Sequence, residues 1–263
     1  MTPWIEAISS WPVLYLGGLA SLLAGLATGV GALPVLLTRN ISQRTQDIMM
    51  GFGAGVMLAA TSFSLIIPAV EAKGGGWSGA FVVAAGMLLG GLFLWISDKY
   101  SPHEHFIKGP EGASAGNLKR TWLFIIAITL HNFPEGLAVG VGFGGGDIEN
   151  GLSLAIGIGL QNMPEGLVVA LALLSLKYPM GQALGIALLT GLVEPVGGLL
   201  GAGIVSVSAP LLPWGLAFAA GAMLFVISDE IIPESHRNGH EKVATLGVMI
   251  GFVVMMLLDV GLG

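Results

Sequence analysis

The sequence contains no cysteine and few charged side chains. Without cysteine the chain can neither form a disulfide nor bind a metal through a thiolate. Charged residues make up 10% of the chain, whereas a soluble domain carries about 25%. So little charge leaves too little polar surface to face water, which excludes an ordinary soluble protein. Lysine and arginine, 10 against 16 acidic residues, form no basic patch, which argues against nucleic acid as a partner.

Apolar runs are what the sequence has in abundance. Hydrophobic residues make up 54% of the chain, and the mean hydropathy is +0.85. A helix needs about 20 consecutive apolar residues to cross a bilayer. The runs predict an all-α membrane protein, a single domain over 1–263 with eight transmembrane helices at 13–37, 47–69, 79–97, 121–143, 152–175, 181–205, 211–232 and 243–262. The first run is too long for a signal peptide and is expected to be retained.

The basic residues are distributed unevenly among the loops. If the eight spans alternate in direction, nine of the 10 lysines and arginines fall on one side and only Lys73 on the other. Cytoplasmic loops are enriched in these residues. The bias therefore predicts that both termini lie outside the cytoplasm and that the longest loop, 98–120, lies inside. That loop carries His103 and His105, which either bind metal loosely or are simply solvated.

Glycines recur inside the apolar runs at a spacing of four residues, as at Gly25 and Gly29 or Gly51 and Gly55. Small residues at that spacing allow helix backbones to approach closely in lipid. Most of these glycines are therefore interpreted as helix-packing residues.

Two sequence repeats relate different helices. The string HNFPEGL at 131–137 recurs as QNMPEGL at 161–167, and GVML at 55–58 more weakly resembles GAML at 221–224. The members of each pair lie on helices that are predicted to cross in opposite directions. This arrangement is typical of an inverted-repeat architecture, which is common among transporters.

Four ionisable side chains lie near the middle of predicted spans: His131 and Glu135 in the fourth, Glu165 in the fifth and Glu194 in the sixth. Each costs at least about 3 kcal/mol at the centre of a bilayer. No lysine or arginine lies within any of the eight spans to neutralise them. The carboxylates therefore require a cation or must stay protonated.

The spacing of these residues indicates which cation they bind. His131 and Glu135 are one helical turn apart on the same face, and Gln161 and Glu165 repeat the arrangement on the next helix. Two such faces can surround a metal with nitrogen and oxygen ligands, a set that suits zinc and its neighbours. Met57, near the middle of the second span, is either a further thioether ligand or a packing residue.

Three prolines stand beside glutamates within the spans, at Pro134, Pro164 and Pro195. Each removes one backbone hydrogen bond and frees a carbonyl one turn earlier. Freed backbone at this depth is tolerated where it lines a cavity and can help to coordinate a cation.

Further polar residues leave two interpretations open. Asn132 and Asn162 occupy matching positions in the two motifs, either as ligands of a second metal or as interhelical hydrogen-bonding groups. Asp229 and Glu230, near the cytoplasmic end of the seventh span, form either a metal exit or ordinary interfacial polarity.

At HNFPEG (131–136), QNMPEG (161–166) and Glu194-Pro195, the sequence resembles the ZIP family of zinc- and iron-regulated-transporter-like proteins, in its bacterial GufA-like branch. The resemblance implies a homodimer in the bacterial cytoplasmic (inner) membrane, and movement of helices one, four, five and six against the other four. It also implies a binuclear metal site: a first site of Met57, His131, Glu135, Gln161 and Glu165, and a second of Asn132, Asn162 and Glu194, bridged by Glu135 and Glu165. Ser64 would line the entrance, and Asp229 and Glu230 the release path.

The sequence departs from some bacterial relatives at Asn162, where they carry aspartate. Three ionised glutamates do not supply enough negative charge to neutralise two divalent ions, and the repulsion between unit charges near 4 Å is about 4 kcal/mol even at an effective dielectric of 20. We therefore expect one tight metal and one weak metal, with the weak one beside Asn162.

The function that these patterns favour is transport of divalent transition metals into the cytoplasm. Zinc is expected first, with cadmium, iron, manganese and cobalt as further substrates and with no bound cofactor. A metal-selective channel or sensor is the alternative. An intramembrane zinc hydrolase is disfavoured because the sequence lacks a His-Glu-x-x-His string, and the chain is accordingly not expected to be an enzyme.

Overall fold

The computed structural model describes residues 7–38, 40–100, 103–105, 109–111 and 120–262. Long helices account for most of these residues. In chain order they are α1 (Val13–Leu36), α2 (Gln43–Ala72), α3 (Gly76–Tyr100), α4 (Arg120–Gly144), α5 (Ile148–Ser175), α6 (Met180–Val207), α7 (Ala209–His236) and α8 (Glu241–Leu262). Between α3 and α4, β1 (His103–His105) pairs antiparallel with β2 (Gly109–Glu111). This short ribbon, in a segment predicted as a loop, is a departure from the all-α prediction; its histidine side chains lie outside the described part of the structure.

Seven of these helices are long and apolar enough to cross a membrane, counted over the described residues. The remaining one, α4, is 25 residues long. The outer surface is apolar as well, because large side chains such as Trp77, Leu88 and Leu257 are mostly exposed. The prediction of a multi-span helical membrane protein is therefore confirmed, while a count of eight crossings stays a prediction.

The helices associate in two groups. The first bundle comprises α1, α4, α5 and α6, with the most extensive packing of α1 on α5 and of α4 on α6. The second bundle comprises α2, α3, α7 and α8, in which α2 packs on α8 and α3 on α7. Contacts between the bundles, mainly of α2 with α5 and of α4 with α7, are less extensive.

Glycine makes the close packing within each bundle possible. A Cβ atom at Gly25 of α1 would collide with the carbonyl oxygen of Gly191 of α6, and the reverse holds for Gly191. In the second bundle, a Cβ atom at Gly55 would collide with the carbonyl oxygen of Val248. The prediction that glycines at spacing four bring backbones together is therefore confirmed at these positions.

The contact between the bundles is looser at the one glycine of α2 that faces α5. A Cβ atom at Gly53 would lie 3.7 Å from Cβ of Gln161, which is ordinary van der Waals contact. At this position, side chains rather than backbones fill the space between α2 and α5.

Three interruptions modify the helices. α6 is divided into Met180–Gly191 and Glu194–Val207. Pro195 stands in the first turn of the second half, where a proline is tolerated because its missing N–H has no partner to lose. The helices that contain Pro134 and Pro164 continue without a break. Of the three prolines predicted to open the backbone, only Pro195 stands beside an interruption.

The other two interruptions are π-helical segments. They occupy Ala60–Ile66 in α2 and Ile227–Ile231 in α7. Each is followed within two residues by a proline, Pro68 or Pro233, which cannot donate to the preceding turn and so favours a shifted hydrogen-bond register. A π-helical segment thus follows each member of the weaker sequence repeat, GVML at 55–58 and GAML at 221–224.

Candidate metal centre

Side chains from three helices of the first bundle form a buried polar cluster. α4 contributes Asn132 and Glu135, α5 contributes Gln161 and Asn162, and α6 contributes Glu194 where its second half begins. Each of the five is at most 2% exposed. The packing of α4 on α6 places them at one level, since a Cβ atom at Gly136 would collide with the backbone of Glu194.

Asn162 is the most fully hydrogen-bonded member of this cluster. Its Nδ2 donates to Oε1 of Glu194 over 2.6 Å and to the carbonyl oxygen of Ala24 over 2.9 Å. Its Oδ1 accepts from Nε2 of Gln161 over 2.7 Å. These bonds connect α1, α5 and α6 through one side chain.

Other polar atoms of the cluster are buried without a hydrogen-bond partner. They are both carboxylate oxygens of Glu135, Oε2 of Glu194, and both Oδ1 and Nδ2 of Asn132. A buried polar group without a partner costs roughly 1–3 kcal/mol, and more if it is charged. Such a concentration of unsatisfied atoms is expected where a ligand completes the set.

The cluster and the adjoining Glu165 also have no lysine or arginine partner within the predicted spans. Glu135, Glu165 and Glu194 lie close enough to interact electrostatically with one another. Between Arg120 and Arg237 the sequence contains only one lysine or arginine, Lys177, just beyond the end of α5. A cation is therefore the partner that these oxygens lack.

The side chain of His131 reaches the second bundle. Its Nε2 contacts Oε2 of Glu230 on α7, so this side chain connects the first bundle to the second. Among the residues that the structure describes, no group of three or more histidine, aspartate and glutamate side chains lies close enough to hold a metal ion. The predicted imidazole and carboxylate ligands thus do not converge on one point in this conformation.

Met57 and Glu165, the remaining predicted ligands, lie on the facing helices α2 and α5. Met57 is 1% exposed, and it is one turn from Gly53, which packs against Gln161. This places Met57 on the face of α2 that is directed towards α5. Glu165 is half-buried, one turn beyond Gln161 on α5.

The predicted entrance and release residues lie on other parts of the helices. Ser64 is buried in the π-helical segment of α2 and donates to Oδ1 of Asp259 over 2.5 Å. Asp259 also accepts from Ser153 over 3.3 Å. Asp229 and Glu230 both lie in the π-helical segment of α7, and only Glu230 is buried. Asp259 was missed in the sequence because a single acidic residue near the end of a span carries no spacing signal.

A second polar group that the sequence did not reveal surrounds Asp47, which is fully buried near the start of α2. Its carboxylate accepts from Gln43 over 2.9 Å, from Asn238 over 3.0 Å and contacts Nδ1 of His240 at 2.8 Å. These bonds attach α2 to the segment between α7 and α8. Asn238 and His240 are nearly 200 residues from Asp47 in the chain, so no local sequence pattern could predict their contact with it.

Comparison with known proteins identifies the family of the chain. The sequence profile of the family described as ZIP zinc transporter matches residues 97–259. The chain is 56% identical to the zinc transporter GufA of Myxococcus xanthus, over 94% of this chain and 99% of that protein. It is 50% identical to the zinc transporter ZIPB of Bordetella bronchiseptica, over 94% of this chain and 81% of that protein.

A more distant relative is the human zinc transporter ZIP11, which is 36% identical over 90% of this chain and 94% of its own length. These relatives are transporters and not enzymes. The expectation that this chain is not an enzyme is therefore confirmed by its similarity to them. From the profile match, the identities and the helical membrane fold together, we conclude that the chain belongs to the ZIP zinc transporter family, with GufA among its relatives.

Proposed function

We propose that this protein carries divalent transition metals, zinc first, across the membrane and into the cytoplasm through the polar cluster between α4, α5 and α6. The observation that carries the proposal is the set of buried, unpartnered oxygens on Glu135, Glu194 and Asn132, in helices whose predicted spans contain no lysine or arginine. The relatives named above are zinc transporters, which favours zinc over the other ions. Cadmium, iron, manganese and cobalt are proposed as further substrates, because imidazole and carboxylate ligands also suit them.

The proposed metal ligands form two neighbouring positions, and each position takes residues from both motifs. The first site uses Met57, His131, Glu135, Gln161 and Glu165. The resemblance to ZIP proteins implies a second metal position among Asn132, Asn162 and Glu194, with Glu135 and Glu165 between the two positions, and the contacts of Asn162 determine whether an ion fills it. Ser64, beside Asp259, lies on the proposed route in, and Asp229 and Glu230 lie on the proposed route out.

His131 requires a rearrangement before it can join this site through Nε2. That nitrogen contacts Glu230 in the present conformation. A metal must displace this contact, or bind through Nδ1. Since Glu230 belongs to the second bundle, binding at Nε2 of His131 and contact between α4 and α7 are alternative arrangements.

We further propose eight crossings related as inverted repeats, with α4 as the crossing added to the seven apolar spans. An even number of crossings places both termini on the same side, and the basic-residue bias puts that side outside the cytoplasm. The protein is proposed to act as a homodimer in the bacterial inner membrane.

Uptake of ⁶⁵Zn²⁺ into sealed liposomes that contain the purified protein tests the function. We expect saturable uptake by the unmodified protein and near-complete loss of uptake in Glu165→Ala. Glu71→Ala is the matched control, since Glu71 is exposed at the end of α2. Retained uptake by folded Glu165→Ala protein contradicts the proposed pathway. Uptake that does not saturate with zinc concentration favours the metal-selective channel over the carrier.

A further inference from the structure

Asn162 joins three helices of the first bundle, because its side chain makes three buried hydrogen bonds. We propose that the side-chain amide of Asn162 takes the place of a second metal ion, so that the transport site holds a single metal. This inference rests on the proposed function, because it specifies how many ions that same site binds.

The first step of the argument is the pair of acceptors at Nδ2. The two hydrogens of this nitrogen are directed at Oε1 of Glu194, 2.6 Å away, and at the carbonyl oxygen of Ala24, 2.9 Å away. A carboxylate oxygen and a backbone carbonyl that face each other across a gap are a pair of ligands for a cation. The amide group fills that gap and satisfies both oxygens with donated hydrogen bonds.

The second step is that the amide has only one workable orientation. Its Oδ1 accepts from Nε2 of Gln161 over 2.7 Å. If Oδ1 and Nδ2 exchanged places, an oxygen would face two acceptors and a nitrogen would face a donor. Asn162 therefore cannot turn its oxygen towards the Glu194 side to ligate a metal there without losing all three bonds.

A consequence for the first site follows from the same bond. Because Nε2 of Gln161 donates to Asn162, the atom of Gln161 that is left to ligate a metal is the carbonyl oxygen Oε1. Asn162 is thus a positioning residue: its hydrogen bond holds the side chain of Gln161 so that Oε1 is the atom directed at the transported ion.

Asn132 provides the contrast within the same molecule. It holds the matching position in the other motif and is also fully buried, yet neither its oxygen nor its nitrogen has a hydrogen-bond partner. The asparagine on α5 is therefore hydrogen-bonded through its side chain, and the asparagine on α4 is not. Any effect that comes only from adding a negative charge to the cluster should appear equally at both positions.

The experiment is isothermal calorimetry of Zn²⁺ binding to the full chain in detergent, for the unmodified protein, Asn162→Asp and Asn132→Asp. We expect one equivalent of zinc in the unmodified protein. Asn162→Asp should gain a second equivalent, because the aspartate removes the donated hydrogens and leaves three oxygens facing one gap. Asn132→Asp should stay at one equivalent. Adding Glu194→Gln to Asn162→Asp should return the stoichiometry to one, since it removes the carboxylate of the new site.

Each outcome decides between the two proposals. Two equivalents in the unmodified protein overturn this inference and leave the proposed function standing, and that result does not depend on whether any variant folds. A second equivalent gained equally by both aspartate variants also overturns it, because charge alone then explains the gain. The absence of zinc binding and of zinc uptake by the unmodified protein overturns the proposed function itself.

Discussion

Replacing Gly25 by alanine should destabilise the first bundle, and the structure allows the size of the effect to be estimated. The new Cβ atom would collide with the carbonyl oxygen of Gly191 on α6. A backbone oxygen cannot rotate aside as the end of a long side chain can, so α1 and α6 must separate. Forced overpacking of this kind typically costs about 1–3 kcal/mol.

Gly53→Ala is the matched control for this substitution. Both glycines lie inside long apolar helices, so alanine raises helix propensity equally in the two variants, by up to about 1 kcal/mol. The contribution of helix propensity therefore cancels when the two are compared. Since the nearest atom to a Cβ at Gly53 is 3.7 Å away, only Gly25→Ala carries the steric cost.

The assay is thermal unfolding of both variants in the same detergent, followed by loss of the monodisperse species. A cost of 1 kcal/mol corresponds to about 2–4 °C in a protein of roughly this size, so Gly25→Ala should unfold several degrees below Gly53→Ala. The same Cβ atom would lie 3.4 Å from Oε1 of Glu194, so zinc affinity should also change in Gly25→Ala. Equal unfolding temperatures for the two variants would refute the close approach of α1 and α6.

Three further predictions follow from the site and the proposed topology. A cysteine introduced as Ser114→Cys on this naturally cysteine-free background should react with a membrane-impermeant reagent only from the cytoplasmic side, and labelling from outside would contradict the orientation. Excess Mg²⁺ should not compete with zinc uptake whereas Cd²⁺ should, because imidazole and thioether ligands reward borderline and soft ions and Mg²⁺ prefers oxygen. Lowering the pH from about 7.5 to about 5.5 should weaken zinc binding, because His131 must lose its proton before it ligates a metal and an ordinary histidine does so near pH 6.5. A zinc affinity that does not change over this range would count against His131 as a ligand.

Local sequence patterns predicted where each helix begins and ends, because those bounds depend on one segment of the chain alone. The predicted spans coincide with the observed helices to within a few residues at most ends; for example, α8 is predicted at 243–262 and begins at Glu241. Glycines at spacing four identified surfaces of close approach, but not their partners. The pairing of Gly25 with Gly191 joins residues far apart in the chain, and no periodicity within either helix specifies it.

The sequence predicted which residues form the polar cluster better than it predicted which side chains contact one another. The depth of Glu135 and Glu194 in their spans correctly placed both in a buried cluster. The contact of His131 with Glu230 was not predictable, because i and i+4 spacing shows only which side chains share a face and not which neighbouring helix that face meets. The break in α6 was indicated only by Pro195, and the same signal at Pro164 accompanies an unbroken helix.

The distribution of close and loose contacts bears on how a metal could pass. The cluster residues on α4, α5 and α6 belong to one bundle, whose helices touch backbone to backbone through glycine. Met57 and Glu230 belong to the other bundle. Met57 is buried on the face of α2 that is directed towards α5, and the side chain of Glu230 contacts His131. If the bundles shift against each other, as the resemblance to ZIP proteins implies, Glu135, Glu194 and the amides keep their mutual positions. The contacts that must change are those of Met57 and of His131 with Glu230, so metal affinity would vary with the shift through these side chains rather than through the buried carboxylates.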